Sequence, residues 1–357
     1  MKRYKIAVLP GDGVGVEVIE AALKVLSKVE EKFEVEFEFK KGLVGAAAIE
    51  KTNSALPEET KQLVLEADAI LFGAVGDPKY DKDPKAKVRP EQGILGLRKL
   101  LNLYLNIRPI KTYSCLYHKS PLKKEVVEGV DFIVVRELTG GIYFGEPRGR
   151  SEDGQKAFDT MVYSRFEIRR AARVAFELAK QRRKTVALVD KANVLATSRL
   201  WREEVEEFAS KNYPEVELKF YYVDNAAMQV LKRPSEFDVI LTSNMFGDIL
   251  TDEASVIAGS LGMLPSASLG EKDGRRRGLF EPIHGSYPKA AGKNIANPTG
   301  AILSAAEMLR FLKEYKAAVA VERAVDKALK DKIFTRDIDP ENYYSCSEFA
   351  EKVAERI

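Results

Sequence analysis

The sequence predicts an α/β fold built on a mostly parallel sheet. Short apolar runs with strand character alternate with longer stretches of helical period. The 357 residues are 45% hydrophobic, enough to bury one large domain or two lobes. Gly, Pro and Asp punctuate the joints between segments. Residues 5–9 read as a buried strand, and Pro10-Gly-Asp-Gly13 turns the chain into a helix whose apolar stripe is Val18, Ala21, Ala22, Val25, Leu26 and Val29. A strand at 35–39, a helix opening near Pro57 and a strand at 69–74 continue the alternation.

Strands follow at 103–107, running into Pro109, and at 131–137. The stretch 138–149 is rich in Gly, Pro and aromatics and reads as hairpin or arm structure rather than helix. Helix 165–182, strand 185–190, helix 198–211 and strands 217–223 and 237–242 restore the α/β pattern, and helices at 301–312, 317–329 and from Ser347 close it. No internal repeat, low-complexity segment or linker marks a domain boundary.

Lys plus Arg number 57 and Asp plus Glu 54, a net charge of +3 that gives a nucleic-acid polyanion no special claim as partner. The cysteines, Cys115 and Cys346, have no metal-type spacing and form no disulfide framework, which suits a reducing cytoplasm. The apolar run at 6–9 is too short for a signal-peptide core, and no run reaches membrane length. A cytoplasmic protein without nucleic-acid or membrane partners is expected.

Two local patterns carry chemistry. In a helix from about Phe246, Asp248 and Asp252 fall one turn apart on one face, with Ile249, Val256 and Ile257 directed to a core. Two such carboxylates suit a hard divalent cation, although a merely solvated pair has the same spacing. The glycines at 11, 13 and 15 invite a dinucleotide fingerprint, but G-x-G-x-x-G requires glycine at 16, where the chain has Val16. Turn chemistry is the reading left for them.

Asn244-Met-Phe-Gly-Asp-Ile-Leu-Thr-Asp252, with Gly259-Ser-Leu-Gly262 behind it, resembles the signature of the β-decarboxylating dehydrogenases, the family of isocitrate and 3-isopropylmalate dehydrogenases. The resemblance extends in family order from Leu9-Pro-Gly-Asp-Gly13 to beyond Asn297-Pro-Thr-Gly300. It implies Mg²⁺ or Mn²⁺ held by Asp248 and Asp252 together with Asp224 of a partner subunit, hence a homodimer with shared active sites. Arg98, Arg108 and Arg136 match the arginines that clamp the malate part of a small-molecule substrate, for which guanidinium forks are suited. Tyr143 and Lys191 match the catalytic pair, Lys191 as base on the C2 hydroxyl and Tyr143 as proton donor to C3.

The loop Phe280-Glu-Pro-Ile-His-Gly-Ser-Tyr-Pro-Lys289 and its continuation to Pro298 resemble the family's non-Rossmann cofactor site. Glu281, His284, Gly285, Ser286, Ala296 and Asn297, with Val14, Gly76 and Glu91, are the implied contacts. Lys289 stands where NAD-using members commonly have Asp and suits a 2′-phosphate. Ala290 and Ala296 argue for NAD, and NAD is favoured. Glu91 with the apolar wall of Ile94 and Leu95 resembles the set that meets an isopropyl group and the nicotinamide ribose, so the implied reaction is oxidative decarboxylation of (2R,3S)-3-isopropylmalate to 4-methyl-2-oxopentanoate, in leucine synthesis. Isocitrate, homoisocitrate and tartrate/malate oxidation, and a non-catalytic regulatory relative, are the alternatives. The family fold implies a cofactor-binding lobe at 1–103 and 259–357, and a substrate and dimerisation lobe at 104–258 with an arm at about 140–165. The cleft between them is the implied site.

Overall fold

A computed structural model describes residues 2–82 and 87–357. The chain gathers into two compact units, Met1–Leu103 with Gly259–Ile357, and Tyr104–Ala258.

The first unit lays out its strands in the order Val35–Lys41, Lys2–Gly11, Ala69–Ala74, Arg275–Pro282 and Pro265–Lys272. The first four are parallel and the last closes an antiparallel hairpin. Ile6 to Leu9 are at most 1% exposed, because a parallel strand with neighbours on both sides is covered on both faces and therefore reads as an unbroken apolar run. Helix Gly15–Lys32 buries Val18, Ala21, Ala22, Val25, Leu26 and Val29, the stripe its period announced. Helices Thr299–Phe311, Tyr315–Lys330 and Cys346–Ala354 complete the layer.

The second unit orders its strands Leu103–Lys111, Asp131–Glu137, Val239–Thr242, Thr185–Asp190 and Glu217–Tyr222. The first pair is antiparallel and the rest are parallel. Its core joins Val135, Leu188 and Leu241 of the sheet to Ile168, Phe176, Trp201 and Val205 of the covering helices. Helix Arg165–Lys180 opens on a capping box, Ser164 with Glu167, that satisfies two amides at its first turn.

Several elements depart from their sequence reading. The strand from Leu103 continues through Pro109 to Lys111, so Arg108 lies inside it rather than at its end. Residues 138–149 hold a short 3-10 turn, Gly141–Tyr143, before an exposed ribbon of Gly149–Arg150 paired with Ala157–Phe158. The aspartate helix starts at Asn244, two residues earlier than read. Ile257 is buried, but Ile249 is 58% and Val256 42% exposed. Seven residues apart, these two share a face that the chain itself leaves uncovered, while Leu250, Thr251 and Ala254 line the buried side. Among the described residues no helix is long and apolar enough to cross a membrane.

Candidate active site

In the second unit, chemically loaded segments leave the carboxyl ends of the parallel strands, where open α/β sheets gather their ligand sites. Asp131–Glu137 carries Arg136 as its penultimate residue, and Val239–Thr242 leads into helix Asn244–Ser255. Thr185–Asp190 leads to Lys191, and Glu217–Tyr222 to Asp224. Arg136 is 1% exposed; its Nε donates to Asn244 Oδ1 at 3.0 Å, and its Nη1 pairs with Asp248 Oδ1. Arg108 places Nη2 3.6 Å from the same Asp248 oxygen and Nη1 3.8 Å from Asp252 Oδ1. Tyr143 donates its hydroxyl to Asp248 Oδ2 at 3.1 Å, and the Arg136 guanidinium lies 5.8 Å from its ring centre. Five of the residues singled out in the sequence thus converge.

The Asp248 side chain is 39% exposed and that of Asp252 71%. Arg108 lies too far from Asp252 to hydrogen-bond it, so this carboxylate stands open to a hard cation one helical turn from Asp248. Desolvation raises the Asp252 pKa, Arg108 opposes it and the like charge of Asp248 adds to it. Lys191 and Asp224 pair with each other, and this hydrogen bond holds the Asp224 carboxyl below its ordinary range. Asp224 is the second residue of helix Val223–Lys232 rather than its N-cap, which is Tyr222. Among the described residues no three His, Cys, Asp or Glu side chains are placed to hold a metal, so one chain offers the Asp248–Asp252 pair and the Lys191–Asp224 pair as separate groups.

The first unit builds a different site. Gly76 has φ +133°, and a Cβ there would come 3.3 Å from Ser286 Oγ and 3.4 Å from Glu91 Oε1, so three expected cofactor residues surround one small hollow. Val14 donates its backbone N–H to the Ser286 carbonyl at 2.7 Å. A Cβ on Gly13 would stand 1.9 Å from that same oxygen, which gives the glycine turn its purpose. His284 keeps a buried Nε2 without a hydrogen-bond partner, and burial lowers its pKa. The Gly285 position faces open space. A buried unpartnered nitrogen, exposed backbone and a Cβ-free hollow fit one end of a dinucleotide.

Ala296 donates to Glu17 Oε1 at 2.9 Å, while Asn297 Oδ1 accepts from Thr299 N and its amide donates to Asp337. Lys289 is exposed and Ala290 buried. Arg98, 9% exposed, sits 3.5 Å from Glu281 Oε1, and neither its Nε nor that oxygen has a hydrogen-bond partner. Ile94 packs into the core with Val44, Leu56 and Leu97, the place its spacing equally allowed, and Leu95 stays half-buried.

Sequence reasoning missed the acids that hold these loops. Asp12, 7% exposed, accepts from Ala46, Ala47 and Gly76 N–H at 2.8, 2.8 and 2.9 Å, and Glu17 accepts from Asn294 and Ala296. The only signal for Asp12 was an acid between two turn glycines, which reads as ordinary turn chemistry.

A family model, isocitrate/isopropylmalate dehydrogenase, matches residues 5–353. The chain belongs to the isocitrate/isopropylmalate dehydrogenase family. A 3-isopropylmalate dehydrogenase of Aquifex aeolicus is 53% identical over 362 residues, covering 100% of this chain and 98% of that protein. The same-named protein of Thermotoga maritima is 54% identical, covering 99% of each. Among solved structures, an isocitrate dehydrogenase from Methylococcus capsulatus matches with TM-score 0.87 at 33% identity over 99% of both chains. An apo β-decarboxylating dehydrogenase from Thermococcus kodakarensis matches with TM-score 0.79 at 35% identity, covering 99% of this chain and 96% of its own. The α/β fold and the membership implied by the Asn244–Asp252 motif both stand for this member of the isocitrate/isopropylmalate dehydrogenase family.

Proposed function

We infer that the chain oxidises (2R,3S)-3-isopropylmalate at C2 and decarboxylates it at C3, giving 4-methyl-2-oxopentanoate in leucine synthesis, with NAD and Mg²⁺ or Mn²⁺. The observation that carries this reading is the convergence of Arg108, Arg136 and Tyr143 on the Asp248–Asp252 pair, in a chain that matches same-named relatives end to end. A bound cation would supply stabilisation of negative charge at the C2 oxygen, and a bound dinucleotide would supply the hydride acceptor for C2. Asp248 and Asp252, joined by Asp224 of a second copy, are the ligands we assign to the cation. The guanidinium groups of Arg98, Arg108 and Arg136 orient the substrate carboxylates. Lys191 of the second copy takes the C2 hydroxyl proton. As CO₂ departs, the electrons of its bond to C3 form an enolate, and the Tyr143 hydroxyl then gives its proton to C3 while C2=O re-forms.

Apolar side chains that one chain leaves in water support a homodimer: Met228 at 56%, Ile249 at 58% and Val256 at 42%. The segment at about 140–165 is the arm we assign to the partner. Leu95, half-buried on the helix that carries Arg98, offers the isopropyl group an aliphatic contact, which a γ-carboxylate would meet only at a cost in hydration. Gly76, Glu91, Glu281, His284 and Ser286 cradle the dinucleotide, with Lys289 at the edge that discriminates its 2′ position. Free cysteines fit a cytoplasmic setting.

Initial rates with 3-isopropylmalate, isocitrate and homoisocitrate, each with NAD and with NADP in the presence of Mg²⁺, test the reading. Preference for 3-isopropylmalate by about a hundredfold in kcat/KM is expected, the scale of one apolar group in a fitted pocket. Faster turnover of isocitrate or homoisocitrate overturns the substrate, and a preference for NADP overturns the cofactor.

A further inference from the structure

The turn that carries Tyr143 is tied to the strand that carries Arg136 by two buried side chains with no part in the chemistry so far. Asn244, 1% exposed, accepts from Arg136 Nε through Oδ1 at 3.0 Å and donates through Nδ2 to the carbonyls of Leu138 and Gly140 at 3.0 and 3.2 Å. The amide orientation is forced: reversed, its NH₂ would face a guanidinium and its oxygen would face two carbonyls. Glu137, fully buried, grips the same turn from its other side. It accepts from Thr139 N and Oγ1 at 2.9 and 2.6 Å, from Gly140 N at 2.8 Å, and faces Arg170 at 3.3 Å.

The turn is also walled in by Tyr163. A Cβ on Gly140 would lie 2.7 Å from its ring, and one on Gly141 2.5 Å from its hydroxyl, the oxygen that accepts from Asn244 N at 2.9 Å. Gly141 N–H is held by the Val162 carbonyl at 2.8 Å. The three residues after Gly140 therefore start from a fixed point, and the third of them is Tyr143. Packing alone would not need an amide that reads both a guanidinium and two turn carbonyls.

We propose that Asn244 and Glu137 are positioning residues that lock the Tyr143 turn to Arg136, so that the proton donor meets C3 from one face of the substrate that Arg136 holds. This rests on the proposed role of Tyr143. Displacing the turn leaves the substrate carboxylate held but lets solvent water compete to protonate C3, so the loss falls on kcat and on stereochemistry rather than on KM. Asn244→Asp keeps the acceptor for Arg136 and removes both donors to the turn. Glu137→Gln loosens the turn without touching Arg136.

The test runs the reaction in D₂O, reduces the product at once and reads the configuration of deuterium at C3 by NMR, beside kcat and KM. For folded Asn244→Asp we expect kcat to fall about tenfold or more, KM for 3-isopropylmalate to stay within about threefold, and deuterium to appear on both faces of C3. Glu137→Gln should mix the label with a smaller fall in kcat, and it carries the test alone should Asn244→Asp not fold. Single-face labelling by both variants overturns the positioning role. Tyr143→Phe separates the two readings: if it keeps wild-type kcat and labelling, the proton-donor role itself fails. If it loses them while the two positioning variants do not, only the present inference falls.

Discussion

The two units place buried or half-buried carboxylates beside their sites and use them in opposite ways. In the second unit Asp248 faces Arg136, Arg108 and the Tyr143 hydroxyl and keeps 39% of its side chain in solvent, so its charge is available to a ligand. In the first unit Asp12, 7% exposed, gives its oxygens to three backbone N–H groups. One carboxylate faces charged side chains and solvent, and the other builds a loop. What separates them is the partner each faces: cations and a phenol leave a charged, open cluster, whereas amides consume the acceptor sites and fix backbone.

The sharpest way to break the contrast is to neutralise the chemical acid. Asp248→Asn should lower kcat/KM by about 10³-fold, the equivalent of about 4 kcal/mol of charge stabilisation at the reacting oxygen. Asp224→Asn should do the same from the other copy. Mixing the two inactive variants should then restore activity, because a heterodimer contains one site with all its carboxylates. Subunit exchange shown by native mass spectrometry with no return of activity would sink the shared site.

Removing the loop-building acid should produce a different pattern. Asp12→Ala strands three backbone amides, at a cost of about 3 kcal/mol in stability, and frees the segment that carries Gly76. We expect a lower urea midpoint and a KM for NAD raised about tenfold, as one mispositioned contact is worth about 1.4 kcal/mol, with KM for 3-isopropylmalate within about twofold. An equal rise in both KM values would show that the acid serves the fold at large rather than the dinucleotide cradle.

That contrast also explains what could be read in advance. Arg108, Arg136, Tyr143, Asp248 and Asp252 each carry a distinctive group, and the Asn244–Asp252 motif fixes their context, so their gathering was legible. The parallel sheet was legible for a similar reason, since residues 6–9 and the stripe of Gly15–Lys32 repeat the burial pattern directly. Asp12 and Glu17 were not, because an acid that binds amides distant in sequence looks like any turn or helix acid until the chain folds. Glu137 and Asn244 were hidden in the same way: one reads as the end of a strand, the other as the start of a motif. Ile249 and Val256 misled for a third reason, since period alone cannot tell a face packed within the chain from a face the chain leaves exposed.

Acid offers the finest separation of the two regions. Burial lowers the His284 pKa, so the folded chain keeps this imidazole neutral at a pH where the unfolded chain, with a value of about 6.5, has begun to take a proton. Above that value neither state binds the proton and the contribution to stability is fully present; as pH falls below it the unfolded state is favoured, and the loss continues until pH passes the folded value. His284→Asn should remove this component, and urea unfolding at pH 7.0, 6.0 and 5.5 should show a shallower slope for the variant, by less than about 1.4 kcal/mol per pH unit, the limit for one proton. Asp252 shifts the other way: desolvation raises its pKa, so protons compete for that carboxylate at a higher pH than for an ordinary aspartate. Over the same range KM for NAD should stay flat. Identical unfolding slopes for wild type and His284→Asn would mean that the imidazole is solvated and that the first unit's site is not the dry cradle its buried Nε2 indicates.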